Sequence, residues 1–262
     1  METLGLLIDF TECIGCQECE VACQQQNKLP PDPLETDLSY RNYTVVLQHE
    51  ASGQHHRKLC MHCITPSCVS ACPVGALTKT ARGPVLYDAG KCMGCRYCMV
   101  ACPFGVPRYE WDSPAPVVAK CTFCNDRVAG GGQTACSWVC PTGATRMGTR
   151  KALLETARDR IRRKPGRYVN HIYGETEVGG TSVLMLSGVP FKELGFPTGL
   201  GTEPLPELTL QVLRKIPPVV IIGGLLLGGV SWIINRRIEL EALKDDPETP
   251  GPEPGDERET GR

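Results

Sequence analysis

The side chains best suited to chemistry in this sequence are its 16 cysteines. They form four sets of four with none left over, and we number these sets quartets 1 to 4 along the chain. The quartets are Cys13, Cys16, Cys19 and Cys23; Cys60, Cys63, Cys68 and Cys72; Cys92, Cys95, Cys98 and Cys102; and Cys121, Cys124, Cys136 and Cys140. Thiolates bind soft metals and metal clusters, so this grouping predicts metal binding.

The spacing within the quartets indicates what they hold. Quartets 1 and 3 share the pattern C-x2-C-x2-C-x3-C, which is typical of iron-sulfur proteins. Three thiolates on so tight a loop wrap one cubane cluster, and the fourth cysteine reaches a neighbouring cluster. Pro73, Pro103 and Pro141 follow the last cysteine of three quartets and end the local turn, whereas quartet 1 has Gln24 there. Each quartet therefore needs a partner quartet.

Two other interpretations of the cysteines compete with iron-sulfur binding. Disulfides need an oxidising compartment and a geometry that neighbouring C-x2-C pairs rarely satisfy. Structural zinc is a stronger rival for quartet 4, because 11 residues separate its two cysteine pairs, as in a zinc ribbon. Zinc sites usually lack a three-cysteine loop, so quartets 1 to 3 favour iron-sulfur clusters.

An internal repeat surrounds the cysteines and predicts the elements that position them. The repeat reads C-V-S-A-C-P-V-G at 68–75, C-M-V-A-C-P-F-G at 98–105 and C-S-W-V-C-P-T-G at 136–143. Each copy predicts a cluster loop, a short helical turn and a Pro-x-Gly exit, with short strands such as Gly5–Phe10 and Val85–Tyr87 before the loops. Since two repeats make one ferredoxin-like unit, residues 1–149 are predicted to form two intertwined α+β units.

Residues 24–59 interrupt the series of repeats. This segment contains Pro30, Pro31 and Pro33, and we predict an insertion with one strand at Tyr43–Gln48. Its histidines, His49, His55 and His56, are predicted to be solvated loop residues, because such histidines are commoner than ligands. His62 lies between Cys60 and Cys63, and we predict that it donates a hydrogen bond beside the ligands without being one.

The chain after the repeats is predicted to be an irregular extension over residues 150–216 that contacts a partner. Arg150–Lys164 has the pattern of an amphipathic surface helix that Pro165 and Gly166 end. The Gly- and Pro-rich part that follows contains one predicted strand, Thr181–Ser187.

An uncharged apolar run follows at residues 217–234. Eighteen residues at 1.5 Å each span about 27 Å, which is enough to cross a hydrocarbon core. Arg214 and Lys215 precede the run, and Arg236 and Arg237 follow it. Two glycine pairs disfavour the alternative of a buried core helix, since interior glycine costs about 1 kcal/mol. We therefore predict one transmembrane helix, followed by a disordered tail at 235–262.

Composition and the N-terminus narrow the remaining function classes. With 28 basic and 29 acidic residues the chain lacks the basic excess of a nucleic-acid-binding protein. The sequence contains no P-loop and no G-x-G-x-x-G motif, so we predict no substrate site. Met1–Phe10 leads directly to Cys13, so we expect no export signal.

Several segments together resemble a known family. They are D-F-T-E-C-I-G-C-Q-E-C-E-V-A-C at 9–23, C-M-H-C at 60–63, C-R-Y-C-M-V-A-C-P-F-G-V-P-R-Y at 95–109, K-C-T-F-C at 120–124 and Y-G-E-T-E-V-G-G-T-S-V-L at 173–184. With the apolar C-terminal run, they resemble the four-cluster iron-sulfur subunit of membrane-bound respiratory oxidoreductases, in the molybdopterin-oxidoreductase electron-transfer superfamily. The beta subunit of formate dehydrogenase and the anchored iron-sulfur subunit of nickel-iron hydrogenase are the branches it resembles most.

The resemblance implies four [4Fe-4S] clusters and a ligand set for each, which we name groups A to D. Group A is Cys13, Cys16, Cys19 and Cys140; group B is Cys121, Cys124, Cys136 and Cys23; group C is Cys60, Cys63, Cys68 and Cys102; and group D is Cys92, Cys95, Cys98 and Cys72. Quartets 1 and 4 thus exchange one cysteine, as do quartets 2 and 3. Gln24 departs from the family pattern and affects the turn, not the ligand.

The resemblance also implies a non-catalytic role in electron transfer. The expected partners are a catalytic subunit with a molybdenum- or tungsten-pterin, or with nickel and iron, and a membrane cytochrome b or quinone-reducing subunit. We expect formate dehydrogenase first, with a single-pass anchor in the inner (cytoplasmic) membrane and the cluster domain on the periplasmic side. The missing export signal fits export with a signal-bearing partner. The alternatives are the hydrogenase subunit, a solitary soluble polyferredoxin and a zinc-stabilised scaffold.

Overall fold

A computed structural model describes residues 2–30, 36–111, 113 and 116–244. Pro31 and Pro33 of the predicted insertion, and residues 245–262 of the predicted tail, lie outside these described residues. The chain divides into two units, Met1–Leu208 and Thr209–Arg262, and each is described on its own.

A three-stranded sheet forms the centre of the first unit. Its middle strand β1 (Leu4–Asp9) pairs antiparallel with β8 (Thr145–Thr149) and parallel with β9 (Val183–Leu186). The middle strand is flanked on both edges and its apolar run is almost completely buried, as in sheets covered on both faces. The strands predicted at Gly5–Phe10 and Thr181–Ser187 are therefore confirmed; the first begins and ends one residue earlier, and the second is three residues shorter.

The cysteine-bearing helices form two similar arrangements. In the first, α1 (Glu18–Asn27) packs against α5 (Ala135–Trp138), while β1 pairs with β8. In the second, α2 (Ser67–Ser70) packs against α3 (Tyr97–Ala101), beside the antiparallel pair of β4 (Leu77–Lys79) and β5 (Val85–Tyr87). The first arrangement joins quartets 1 and 4, and the second joins quartets 2 and 3.

The predicted insertion contains a hairpin, not a single strand. Its first strand, β2 (Thr44–Gln48), matches the prediction and pairs with β3 (His55–Leu59). The prediction that His56 is a solvated loop residue is wrong: it lies in β3, is buried, and packs edge-on against Phe10 and Phe196. Burial, followed by the nearby charge of Lys58, lowers the pKa of His56 to about 4.

Shorter elements complete the first unit. They are β6 (Arg108–Tyr109), which pairs with β7 (Val118–Ala119), the helix α4 (Asn125–Ala129), and three 3-10 turns at Phe10–Glu12, Ala89–Lys91 and Glu177–Gly179.

The predicted amphipathic helix is α6 (Arg150–Arg163). It begins where the Thr149 hydroxyl accepts a hydrogen bond from the N–H of Ala152, which satisfies a free donor of the first turn. Leu153 and Ala157 pack against buried residues of β1 and β9. The extension predicted after residue 149 therefore completes the central sheet and covers one of its faces.

A buried carboxylate fastens α6 to the end of β1. Asp9 is fully buried and accepts hydrogen bonds from Thr11, from Arg160 Nη1 at 2.5 Å and from the Tyr168 hydroxyl at 2.9 Å. A buried charge is tolerated only when its partners are complete, so these contacts act as one network.

The second unit contains the long apolar helix. Helix α7 (Leu205–Leu213) precedes α8 (Ile216–Lys244), whose Pro217 and Pro218 lie in the first turn, where no N–H is needed. Within Leu205–Ala242, an 18-residue window has a mean hydropathy of 2.0 and no buried residue, so the segment is long and apolar enough to cross a membrane. Helix α8 also continues past Ile234 to Lys244, so the first part of the predicted tail is helical.

Replacing Asp9 tests the network at the end of β1. We expect Asp9→Asn to lower the free energy of unfolding by about 3 kcal/mol, because it leaves a partly buried Arg160 without its counter-charge. Denaturant unfolding of the detergent-solubilised full chain measures this. The control is Asp159→Asn, whose partners Arg162 and Arg163 are exposed and whose loss should not change the midpoint. Equal midpoints for the two variants would contradict the account.

Candidate metal centres

The first two cysteines of every quartet lie on the same kind of backbone turn. The residue just before the second cysteine has a left-handed conformation in all four quartets, with φ of 70° at Gly15, 48° at His62, 74° at Gly94 and 59° at Phe123. This region favours glycine and costs other residues about 1 to 2 kcal/mol. His62 and Phe123 must therefore be held there by their surroundings.

His62 and Phe123 hold each other across two turns. Both rings are buried, and they meet edge to face with their centroids 5.0 Å apart. The His62 Nδ1 accepts the N–H of Val85 at 3.0 Å, so its proton lies on Nε2, which has no partner among the described residues. Burial lowers the pKa of His62 well below its usual value, so the ring is neutral. The expected donor role of His62 remains a prediction, and its free N–H is consistent with that role.

A second turn follows the last cysteine of quartets 2, 3 and 4. In each, the N–H of a left-handed glycine donates to the carbonyl oxygen of that cysteine; the pairs are Gly75 with Cys72, Gly105 with Cys102, and Gly143 with Cys140. The turn also directs N–H groups at the thiol. Burial alone would raise the pKa of Cys72, but the N–H groups of Leu77 and Val74 lower it overall. These turns therefore favour the thiolate that a metal requires.

Quartet 1 replaces this turn by additional helix. Where the other quartets have proline, Gln24 lets α1 continue through Cys23 to Asn27. The Asn27 side chain then donates to the Cys23 carbonyl at 2.8 Å and approaches its sulfur at 3.5 Å. The departure of Gln24 from the repeat thus changes the local backbone and keeps a donor near the thiol.

The structure brings together cysteines from different quartets. One cavity is lined by four thiols, those of Cys13, Cys16, Cys19 and Cys140. Another is lined by those of Cys72, Cys92, Cys95 and Cys98. These two sets coincide with groups A and D.

Groups B and C are also gathered across quartets. Burial and then the neighbouring thiols raise the pKa of Cys23 well above its usual value, and these thiols belong to Cys121, Cys136 and Cys124. Burial and neighbouring thiols likewise raise the pKa of Cys63, and here the thiols belong to Cys60, Cys102 and Cys68. All sixteen cysteines are free, so none is used in a disulfide.

The four groups follow one another in a row. Burial together with Cys136 of group B raises the pKa of Cys19, in group A, to about 11. Burial together with Cys60 of group C raises the pKa of Cys121, in group B, to about 12. Burial raises the pKa of Cys68, in group C, to about 12, and Cys98 of group D is among its thiol neighbours. These electrostatic neighbours order the groups as A, B, C and D.

Comparison with known proteins identifies the family. The 4Fe-4S dicluster domain family matches residues 52–150. A protein of Nitratidesulfovibrio vulgaris is 44% identical over 256 residues, covering 92% of this chain and 69% of its own. The hydrogenase-2 operon protein HybA of Escherichia coli O157:H7 is 37% identical, covering 84% and 82%. The formate dehydrogenase iron-sulfur subunit of Haemophilus influenzae is 33% identical, covering 93% and 84%.

This chain belongs to the formate dehydrogenase and hydrogenase family of iron-sulfur electron-transfer subunits. Its function is electron transfer in a respiratory oxidoreductase. The family agrees with the resemblance found in the sequence.

The side chains of this iron-sulfur subunit suit clusters better than single metal ions. Among the described residues, no three or more His, Cys, Asp or Glu side chains are arranged to hold one metal ion. A zinc ion needs all of its thiolates within about 2.3 Å of one point, whereas a cluster of several atoms holds them further apart. Quartet 4 is also divided, because Cys140 lies with group A. The zinc-ribbon alternative for quartet 4 is therefore disfavoured.

Three cations that the sequence analysis missed lie along the row. Arg57 and Lys120 are buried, with 3% and 5% exposed, and Lys79 is half-buried. Lys120 donates to the carbonyls of Val85 and Cys121, and Lys79 donates to those of His62, Cys63 and Gly83. None of the three forms an ion pair with a carboxylate in the described part of the chain. Buried cations are costly without compensation, so they fit an anionic group held by the cysteines.

These cations leave only a faint signal in the sequence. Lys120 directly precedes Cys121, and Arg57 lies in the charged segment H-H-R-K-L just before quartet 2. Neither position looks buried until the strands are paired. Aligning the four C-x2-C segments would have revealed the left-handed position, which reads Gly, His, Gly and Phe.

Two glycines in the turns beside the group D cysteines allow a test of the turn geometry. A Cβ added at Gly94 would lie 2.9 Å from the Tyr109 hydroxyl, and the buried Tyr109 ring is covered by Arg96. Gly75 has a similar φ, but a Cβ there meets no heavy atom within 4 Å. We expect Gly75→Ala to cost about 1 kcal/mol, and Gly94→Ala to cost roughly 2 kcal/mol or more and to lower bound iron.

Thermal unfolding and iron analysis of the two variants, each in the purified full-length protein, make the comparison. If Gly75→Ala were as damaging as Gly94→Ala, backbone strain alone would explain both, and the packing of Tyr109 on the turn would not matter.

Proposed function

We propose that each of groups A to D holds one [4Fe-4S] cluster, and that the chain relays electrons between a catalytic subunit and a quinone-linked membrane subunit. When bound, such clusters exchange single electrons at potentials set by hydrogen bonding and exposure. The chain itself supplies thiolate ligands, N–H donors and buried cations, and we assign it no catalytic residue. The observation that carries the proposal is the row of groups from A to D, each completed by a cysteine of another quartet.

The two arrangements of helices and strands support two ferredoxin-like units within residues 1–149. One unit would use quartets 1 and 4 on β1 and β8, and the other would use quartets 2 and 3 on β4 and β5. In each unit a short cysteine-bearing helix packs against its counterpart. This division explains why fourth ligands are exchanged within pairs of quartets.

The ends of the row are more open than its middle. Ile14 and Met93 occupy the same position in the turns of groups A and D, and both are exposed, by 61% and 65%. Met61, at that position in group C, is 3% exposed. Exposed apolar side chains around the terminal groups suit contact with partner subunits, whereas the middle groups are shielded by the chain itself.

The apolar helix supports a single-pass membrane anchor. We place it in the inner (cytoplasmic) membrane, with the cysteine-rich unit on the periplasmic side, as the resemblance implies. A formate dehydrogenase with a molybdenum- or tungsten-pterin subunit is the partner we propose first, with a cytochrome b or another quinone-reducing subunit in the membrane. Purification of the complex from native membranes in mild detergent tests this choice, since nickel in place of molybdenum or tungsten would identify a hydrogenase.

Two cysteines of one quartet test the ligand assignment. Cys136 and Cys140 lie four residues apart in quartet 4, but we assign them to groups B and A. We expect Cys136→Ser and Cys140→Ser to alter two different clusters, because each removes a ligand from a different group. In electron paramagnetic resonance spectra of the reduced complexes, each variant should then lose or change a different cluster signal of the unmodified complex.

A third variant, measured in the same way, serves as a positive control. Cys13→Ser should alter the same signal as Cys140→Ser, since both belong to group A. If Cys136→Ser and Cys140→Ser instead altered one common signal, quartet 4 would form its own centre and the exchange of ligands would be wrong.

A further inference from the structure

Arg57 differs from the other buried cations in what its charge contacts. Its side chain lines the group A cavity together with Cys13, Cys16, Cys19 and Cys140. Its charge also acts electrostatically on Cys136 and Cys23, both of group B. The guanidinium therefore lines the cavity of group A and carries a charge close to group B, whereas Lys79 and Lys120 direct their ammonium groups at backbone carbonyls.

Two threonines fix the position of this guanidinium. Nε of Arg57 donates to Thr44 Oγ1 at 2.6 Å, and Nη1 donates to Thr145 Oγ1 at 3.2 Å. Thr44 lies in β2 and Thr145 in β8, and both are buried. The planar guanidinium is thus held from two sides, and it has donors left for the cysteine sulfurs.

The charge of Arg57 has no acidic partner of its own. The buried Glu20 interacts with it electrostatically; burial raises the pKa of Glu20, and hydrogen bonds with Val46 and Asn42, followed by the charge of Arg57, lower it only in part. Glu20 Oε1 accepts the N–H of Val46 and makes no ion pair with Arg57 within the described residues. Arginine is not deprotonated in proteins, so the buried guanidinium keeps its positive charge at this position.

We propose that Arg57 is a positioning residue that raises the reduction potentials of the two centres in groups A and B together. The inference rests on the proposed function and adds to it a residue that acts on the half of the row formed by groups A and B. A fixed positive charge stabilises the state with the extra electron, and low local polarity strengthens its effect. Because the charge of one guanidinium lies close to both groups, we expect a single substitution to shift two centres.

Redox titration of the full complex, followed by electron paramagnetic resonance, tests this proposal. Arg57→Gln should move the midpoint potentials of the group A and group B centres to more negative values, and those of groups C and D should stay unchanged. The Cys136→Ser and Cys140→Ser spectra assign the signals. Arg57→Lys keeps the charge, so the potentials of both centres should stay close to those of the unmodified complex. Arg158→Gln removes a surface ion pair with Glu175 and should leave all four potentials unchanged.

A second pair of variants keeps the proposal testable if Arg57→Gln does not assemble. Thr44→Val and Thr145→Val preserve shape and the arginine charge but remove its hydrogen bonds, so each should give a smaller shift in the same two centres. An Arg57 variant with four intact clusters and unchanged potentials would overturn the proposal, as would a shift confined to one centre. Fewer than four clusters per chain in the unmodified complex would instead contradict the proposed function.

Discussion

A tight three-cysteine loop surrounds only part of a cubane cluster, and the rest of this structure follows from where the missing thiolate comes from. Cys140 lies with the first quartet and Cys23 with the fourth, although 97 residues lie between Cys23 and Cys121. Pairing β1 with β8 and packing α1 against α5 bring them together. The strands and helices beside the cysteines are short, and they bring the cysteine loops of different quartets together.

The same requirement explains the weak hydrophobic core. Aromatic residues form only 6% of the chain, and the buried clusters contain cysteines beside leucine, valine and phenylalanine. The thiols occupy places that bulky apolar side chains fill in other proteins. Metal binding and folding are coupled in such proteins, since binding energy supplies stability that packing does not.

Much of this architecture could be predicted from the sequence, because cysteine spacing is rigid and periodic patterns are local. The strand Val85–Tyr87 and the helix from Arg150 were predicted within one residue. The segment H-H-R-K-L gave no strand signal, since its buried His56 and Arg57 are polar and depend on distant partners. The helix at Gln24 and the left-handed His62 were missed for the same reason: tertiary contacts outweigh local preference.

We propose, above all, that the sixteen cysteines hold four cubane clusters and nothing else. Mössbauer spectroscopy of the iron-57-enriched complex, combined with iron and acid-labile sulfide analysis per chain, tests it directly. Four [4Fe-4S] clusters predict about sixteen iron atoms and as many sulfides, all with the spectrum of cubane clusters. Bound zinc, or iron at half that amount, would contradict the claim.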